Sequence, residues 1–323
     1  MTLEEKVGQL FFVCCPDMGV VEMLETMHPG GVLLFARDFN GLTEEQVVEK
    51  IASYRAASKL PLFIGADEEG GDVVRISRYS ALSEEPYWSM RALHKAGGKA
   101  LLYETEADKC QMLKRLGVNV NFAPVCDLSD KPEAFMFWRS LGLSAEETAD
   151  CIAGLVEVYE KAQVGCVLKH FPGYGNAADT HKGIVYDDRS FEVFEQADFQ
   201  PFEAGIAAGA DCVLVAHSIV SCLDGELPAS LSPAWHEVLR DTLGFDGVII
   251  TDDLSMGAIQ DYTDGASAAV AAVLAGNDML CGFDYKMQYD AVLEAVQSGV
   301  IEEARIEESV LRILRWKQAL GLL

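Results

Sequence analysis

One short segment of the chain, VGCVLKHFPGYGNAADTHKG at residues 164–183, concentrates side chains that could do acid–base chemistry. It contains Lys169, His170, Asp179 and His181, and these two histidines are among only six in the chain. An imidazole gains and loses a proton near neutral pH, and a hydrogen-bonded carboxylate orients it. Asp179 and His181 have one residue between them, so in an extended stretch their side chains lie on the same face. The segment therefore fits a proton-transfer pair on a loop that follows a buried strand.

Ionisable residues also end three other apolar runs. Asp67 ends LPLFIGAD, His217 ends ADCVLVAH, and Asp252 and Asp253 end GVIITDD. Taken singly, such residues fit turns, helix caps or buried ion pairs, and Asp253 in particular fits a cap of the helix that follows it. Four runs that end in this way together predict a polar pocket that binds a molecule rich in hydroxyl groups.

Eight short apolar runs recur along the chain, and helical patterns lie between them. The runs occupy residues 10–15, 31–35, 60–67, 118–125, 164–170, 210–217, 247–253 and 277–283. Runs that are apolar without alternation are typical of parallel strands covered on both faces. Eight such units predict an α/β fold of the (β/α)₈ TIM-barrel type, and a doubly wound sheet is the alternative. A barrel gathers the carboxyl ends of its strands around one mouth, where the ionisable residues would meet.

Composition narrows the class of protein. The chain has 323 residues, half of them hydrophobic, and no Pro/Ser-rich linker, so we expect a single domain over residues 1–323. Its formal net charge of −26 argues against a nucleic-acid partner. The nine cysteines show no CxxC spacing, which argues against a zinc site and favours a reducing compartment. No run approaches ~18 uninterrupted apolar residues and the first residues do not read as a signal peptide, so we expect a cytoplasmic protein without membrane contact.

The motifs resemble those of a known family. GCVLKHFPGYGNAADTH is similar to the Lys-His-Phe-Pro-Gly-His-Gly and Asp-Ser-His signature of glycoside hydrolase family 3, in its β-N-acetylhexosaminidase branch, and LGFDGVIITDDLSMGAI is similar to the nucleophile segment of that branch. TLEEKVGQL, GGVLLFARD, GADEEGGDVVR, NVNFAPVCDL and LPASLSP extend the similarity over essentially the whole chain in the expected order.

The resemblance implies a retaining hydrolase that needs neither a metal nor an organic cofactor and acts on a small carbohydrate. Asp252 matches the nucleophile, His181 the general acid and base, and Asp179 the residue that orients His181. The positions that match residues holding sugar hydroxyls or shaping the pocket are Asp67, Arg139, Lys169, His170 and His217. The expected reaction is release of terminal β-linked N-acetylglucosamine from peptidoglycan fragments, as in peptidoglycan recycling, or from related oligosaccharides.

Three features depart from the pattern of that branch. Tyr174 stands where histidine is usual, the spacing from Gly175 to Asp179 is one residue shorter, and Asp72 follows EEGG where a basic residue is common. These departures bear on the leaving group and on any anionic part of the substrate.

Four other functions remain open at this point. A histidine acid/base repels phosphate less than a carboxylate would, so a phosphorylase that releases a sugar 1-phosphate fits the residues. A β-glucosidase on the same scaffold and a sugar-binding homologue without turnover also fit. A lyase that uses Lys169 as a Schiff base would leave Asp252 and the Asp179–His181 pair unexplained. The sequence predicts no oligomeric state.

Overall fold

The main sheet is a closed parallel barrel. A computed structural model describes all 323 residues, and its nine-stranded sheet has Gly165–Cys166 at one end and Leu168–Phe171 at the other. These two are parts of one strand interrupted at Val167, so the barrel has eight strand positions. They are Phe11–Cys14, Gly31–Leu34, Phe63–Ala66, Val120–Asn121, Gly165–Cys166 with Leu168–Phe171, Cys212–Val215, Val248–Asp253 and Met279–Gly282. Each of the eight predicted runs overlaps one of them, which confirms the TIM-barrel prediction and excludes the doubly wound sheet.

Helices surround the barrel. The α-helices are Leu3–Gln9, Val20–Met27, Ala36–Phe39, Glu44–Ala57, Met90–Leu116, Ala145–Ala162, Phe191–Val193, Phe199–Ala207, Pro233–Glu237, Gly257–Gln260, Gly265–Ala275, Tyr285–Gln297 and Glu303–Ala319. The 3₁₀ turns are Thr180–Lys182 and Ala229–Leu231, and the π-helical turns are Phe194–Asp198 and Val238–Thr242. A small parallel ladder pairs Tyr186–Asp187 with Ile219–Val220 beside the mouth of the barrel.

Local sequence sets where the long outer helices begin. The Ser144 hydroxyl accepts from the Glu147 N–H while the Glu147 carboxylate accepts from the Ser144 N–H, and Thr43 and Gln46 repeat this capping box. The Asp264 carboxylate caps Gly265–Ala275 by accepting from the Ser267 N–H. These caps supply partners for N–H groups that have none within the helix, so each helix starts at a defined residue.

Aromatic rings fill the barrel interior below its mouth. Phe12 stacks on Phe63 with ring centroids 6.0 Å apart and meets Phe122 edge to face at 5.1 Å. Gly65 leaves the room for Phe12, because a Cβ at that position would lie 2.8 Å from the ring. The barrel is therefore plugged in its middle, and only its carboxyl end is left for a pocket.

Asp278 ties the last strand to the closing helix Glu303–Ala319. The fully buried Asp278 carboxylate accepts from Arg240 Nη2 at 2.5 Å, Ser309 Oγ at 2.7 Å and the Ile249 N–H at 3.0 Å. Arg312 Nη1 lies 3.3 Å away. Several charged and neutral donors thus converge on one buried carboxylate, and this cluster fixes the amino-terminal end of the barrel.

Nine free cysteines, eight of them buried, lie in the protein, and no group of three or more His, Cys, Asp or Glu side chains is arranged to hold a metal ion. No helix combines the length and the apolar character that crossing a bilayer requires.

Lys317 is buried without a carboxylate partner. Its Nζ donates to Gln9 Oε1 at 2.6 Å and to the Pro61 carbonyl at 2.5 Å, and lies 5.0 Å from the Phe63 ring centroid. Two neutral acceptors do not replace the hydration of an ammonium ion. Burial therefore lowers the pKa of Lys317 to about 7.

Replacement of Lys317 by methionine should change how stability depends on pH. Between the folded pKa and the unfolded value near ~10.4 the unfolded chain binds more protons, so Lys317 destabilises the wild type increasingly as pH falls. Lys317→Met should therefore be more stable than the wild type. We expect this difference in the free energy of unfolding, measured with urea, to fall by about 3 kcal/mol between about pH 7 and about pH 9.5. The exposed Lys286→Met is the control, and parallel pH curves for Lys317→Met and wild type would contradict the prediction.

Candidate active site

A cavity of about 370 Å³ opens at the carboxyl end of the barrel, where the strand ends meet. Of the eight predicted site residues, six line it, namely Asp67, Arg139, Lys169, His170, His181 and Asp252. Asp179 and His217 do not line it: Asp179 is hydrogen-bonded to His181, and His217 is buried against the end of the seventh strand. The barrel thus brings together residues that are up to 185 positions apart in the chain, from Asp67 to Asp252 (252 − 67 = 185).

Asp252 lies near the end of the seventh strand, Val248–Asp253, and faces the cavity. Burial acts to raise the pKa of its carboxyl group. The imidazoles of His217, His170 and His181, together with the N–H of Asp253 at 2.9 Å, outweigh burial and lower that pKa below its usual value. Asp252 is therefore an ionised carboxylate at neutral pH, as attack on carbon requires.

The pKa of Asp253 shifts in the opposite direction to that of its neighbour Asp252. Burial raises the pKa of Asp253 to about 6, against the opposing effect of Ser255. Asp253 Oδ1 accepts from the Ser255 N–H at 2.8 Å, and the next helix, Gly257–Gln260, starts only after Met256. Asp253 thus forms a turn, and the interpretation of this residue as a helix cap is wrong.

A buried ion cluster forms the opposite wall. Lys169 Nζ lies 2.9 Å from Asp67 Oδ1 and 2.6 Å from Glu69 Oε1. Arg139 donates to both oxygens of Glu69, at 2.7 and 2.9 Å. Burial acts to lower the pKa of Lys169, but the two carboxylates outweigh it and raise that pKa. Lys169 is therefore a charged hydrogen-bond donor and lacks the free electron pair that a Schiff base needs.

Glu69 and Asp127 were missing from the sequence prediction. Glu69 is 4 % exposed, and burial would raise its pKa, but Arg139 and Lys169 lower it well below the usual range. Asp127 Oδ2 lies 2.6 Å from His170 Nδ1. Both acids closely follow an apolar run, and that signal alone could have found them.

The partners of the two His170 ring nitrogens indicate which of them donates and which accepts. His170 Nε2 lies 3.3 Å from Arg139 Nη2, and a guanidinium only donates, so Nε2 accepts. The Nδ1–H then donates to Asp127, whose other oxygen accepts from the Tyr174 N–H at 2.8 Å. Asp127 therefore orients His170 and also fixes the base of the following loop.

The predicted dyad lies on that loop, in the 3₁₀ turn Thr180–Lys182 and the residue before it. His181 Nδ1 is 2.7 Å from Asp179 Oδ1, which leaves Nε2 free, and the His181 side chain is 60 % exposed beside the cavity. The Phe135 ring lies 6.0 Å from the imidazole. The Tyr174 hydroxyl is hydrogen-bonded to the hydroxyl of buried Thr180, so Tyr174 tethers the turn that carries the dyad.

His217 is fully buried and does not line the cavity. Burial lowers its pKa, so the ring is neutral. Its Nε2–H donates to the Asp253 carbonyl at 3.0 Å, and its Nδ1 accepts from the Ser230 hydroxyl at 2.7 Å. This geometry supports the pocket-shaping part of its predicted role, because His217 braces the end of the strand that carries Asp252.

Comparison with known proteins points to one family. The family described as "Glycosyl hydrolase family 3 N terminal domain" matches residues 2–316. A protein of Xylella fastidiosa (strain M23) named Beta-hexosaminidase is 36 % identical over 267 residues, which cover 81 % of this chain and 77 % of that protein. The Beta-hexosaminidase of Xanthomonas oryzae pv. oryzae (strain MAFF 311018) is 34 % identical over 297 residues, with 90 % and 85 % covered.

Solved structures agree in fold. A glycoside hydrolase family 3 beta-N-acetylglucosaminidase from Paenibacillus sp. str. FPU-7 superposes with a TM-score of 0.92 at 34 % identity, over 100 % of this chain. This chain spans 63 % of the Paenibacillus chain. The Beta-N-acetylhexosaminidase of Beutenbergia cavernae superposes with a TM-score of 0.86 at 28 % identity, over 98 % of this chain and 99 % of that one.

Loss of the Glu69 charge should destabilise the fold. In Glu69→Gln, Lys169 and Arg139 stay buried without their shared carboxylate, and breaking a buried pair in this way costs about 3 kcal/mol. Urea unfolding should show this loss, whereas the exposed Glu104→Gln on the helix Met90–Leu116 should stay within about 0.5 kcal/mol of wild type. Equal stabilities of the two variants would mean that the cluster does not hold the site together.

Proposed function

The chain belongs to the glycosyl hydrolase family 3, and we propose that it is a retaining β-N-acetylhexosaminidase. Its substrates would be oligosaccharides that end in β-linked N-acetylglucosamine, of which peptidoglycan fragments are one class. The observation that carries the proposal is the ionised Asp252 in the cavity, with the exposed imidazole of His181 beside it. The names of the relatives support the same activity.

In the first step, the Asp252 carboxylate attacks the anomeric carbon while protonated His181 gives its Nε2 proton to the glycosidic oxygen. The bond between that carbon and that oxygen breaks, the alcohol leaves, and the sugar is held as an ester on Asp252. Asp179 accepts the Nδ1–H of His181 at 2.7 Å throughout, so Nε2 is the atom that exchanges the proton.

In the second step, neutral His181 takes a proton from a water molecule, and the water oxygen attacks the anomeric carbon. The ester bond breaks, Asp252 is a carboxylate again and His181 is protonated for the next cycle. Each of the two displacements inverts the configuration of the anomeric carbon, so the product has the same configuration as the substrate. No step requires a metal ion or an organic cofactor.

Lys169, Arg139 and Asp67 are the groups proposed to hold sugar hydroxyls. They line the cavity and are held in place by one another and by Glu69. A side chain that is already fixed loses little freedom when substrate binds, so this cluster can orient the sugar over Asp252. His217 would act indirectly, through the strand end.

Hydrolysis is favoured over the alternatives. A phosphorylase must bring phosphate beside Asp252, but five carboxyl groups and only three Lys or Arg side chains line the cavity. A lyase needs an uncharged Lys169, whereas its carboxylate neighbours raise its pKa. Aryl β-glycosides that differ only at the 2-position, assayed with and without phosphate, separate the hexosaminidase from a β-glucosidase and from a phosphorylase.

We further propose that residues 1–323 act as one catalytic domain in the cytoplasm. The acid/base and the nucleophile both come from loops and strand ends of the same barrel. The free cysteines fit a reducing compartment.

Removal of the nucleophile should abolish turnover. With an aryl β-N-acetylglucosaminide, Asp252→Ala should lower kcat about a thousandfold or more, since no ester intermediate can form. Asp241→Ala removes an exposed carboxylate far from the cavity and should keep wild-type activity. Full activity of Asp252→Ala would refute the assignment of the nucleophile.

Removal of the acid/base should affect poor leaving groups most. His181→Ala should slow alkyl glycosides about a hundredfold or more and the most acidic phenols far less, because only a basic leaving oxygen needs a proton. A series of aryl glycosides with graded phenol acidity measures this dependence. An equal loss across the series would show that His181 does not protonate the leaving group.

A further inference from the structure

The lining of the cavity carries an excess of negative charge. Its carboxyl groups are Asp67, Glu69, Asp72, Asp252 and Asp253, and its permanent cations are Arg75, Arg139 and Lys169. Each of these three cations lies within 4.0 Å of a carboxylate, the farthest being Arg75 at 3.6 Å from Asp67. Lys169 and Arg139 are therefore committed to buried carboxylates, and Arg75, whose Nε has no hydrogen-bond partner, is the one lining cation with a free donor.

Asp72 differs from the other lining acids because it is exposed and has neither an ion-pair nor a hydrogen-bond partner. It lies in a tight turn in which the Gly70 N–H donates to the Val73 carbonyl at 3.1 Å. Gly70 and Gly71 have φ of 105° and 64°, and a Cβ at Gly70 would lie 2.2 Å from the Trp88 carbonyl oxygen. The turn is thus packed in place and holds a full negative charge at the rim.

Trp138 gives the same rim an apolar surface. Its side chain lines the cavity, is 60 % exposed and immediately precedes Arg139, which the ion cluster holds. The Phe137 ring meets it edge to face at 4.8 Å. A large exposed ring that a neighbouring ring supports offers a face for the C–H groups of a pyranose.

On the premise of the proposed function, we propose that Asp72 and Trp138 select the sugar on the leaving-group side of the cleaved bond. Trp138 stacks against an uncharged pyranose, such as a second N-acetylglucosamine, and Asp72 disfavours a sugar that bears a carboxylate. The preferred substrates are then neutral N-acetylglucosamine oligomers, and the free acids of muramic-acid glycosides are poorer substrates.

The effect of Asp72 follows from Coulomb's law. Two negative charges about 8 Å apart at a partly exposed rim repel each other enough to change a rate by about three- to tenfold. Lys182 could offset this repulsion from the loop, but its side chain is 84 % exposed and its Nζ lies 4.0 Å from Asp179. Salt screens an interaction at this distance, so the discrimination should shrink at high ionic strength.

The test compares two substrates that differ only in charge. N-acetylglucosaminyl-β-1,4-N-acetylmuramic acid and the methyl ester of its lactyl group share every ring atom. For the wild type we expect kcat/KM to be about three- to tenfold higher for the ester. Asp72→Asn should bring the ratio close to one, and Asp72→Lys should favour the acid. Glu294→Gln, on the outer helix Tyr285–Gln297, removes the same charge elsewhere and should keep the wild-type ratio.

Trp138→Ala tests the second half of the proposal. It should raise KM for acid and ester alike, by about fivefold, without changing their ratio. A wild-type ratio of one, or a ratio that Asp72→Lys leaves unchanged, overturns the role of Asp72, and an unchanged KM in Trp138→Ala overturns that of Trp138.

Failure of the proposed function has a different signature. If neither disaccharide nor a neutral N-acetylglucosamine dimer is cleaved, the hydrolase assignment fails, and selection is measured from binding of the acid and the ester by calorimetry. The ester should then bind about three- to tenfold more tightly to the wild type and lose that advantage in Asp72→Lys. Equal binding of acid and ester would overturn the selection itself.

Discussion

The shared carboxylate of Glu69 is the interaction on which the rest of the site depends. Two cations, Lys169 and Arg139, lie buried within hydrogen-bond distance of it, and neither would stay buried and charged without a partner. Through Lys169 the cluster holds Asp67, and through Arg139 it reaches the His170 imidazole, which contributes to lowering the pKa of Asp252. One buried acid thus connects the sugar-binding wall to the protonation state of the nucleophile.

Residues of the same type in this site differ in their surroundings and therefore in their roles. Nearby imidazoles and a backbone N–H lower the pKa of Asp252, whereas burial dominates at Asp253 and raises its pKa to about 6. His217, enclosed by a hydroxyl and a carbonyl, is neutral and structural, whereas His181 is exposed and has one free ring nitrogen. The surroundings, and not the residue type, therefore distinguish the proposed nucleophile from the aspartate of the turn, and the proposed acid/base from the structural histidine.

Much of this arrangement was predictable from the sequence. The eight apolar runs specify the barrel, because continuous runs need cover on both faces, and the barrel then gathers their polar ends. The pairing of those ends was not predictable, because the position of Glu69 and Asp127 just after an apolar run does not tell in which direction their side chains point. His217 shows the same limit in reverse, since a histidine at a strand end can point behind the strand as well as into the mouth. The role of Asp253 depended on a single turn that no periodicity reveals.

The hydroxyl pair of Tyr174 and Thr180 lies between the barrel wall and the loop that carries His181. Because Thr180 is buried and Tyr174 is anchored through Asp127, the backbone that leads to His181 is ordered when the chain folds. The conformational entropy of ordering that backbone is then lost once, during folding, and not again at each encounter with a sugar. The exposed side chain of His181 is then already held beside the cavity by Asp179, so loop closure need not limit the turnover rate of this protein.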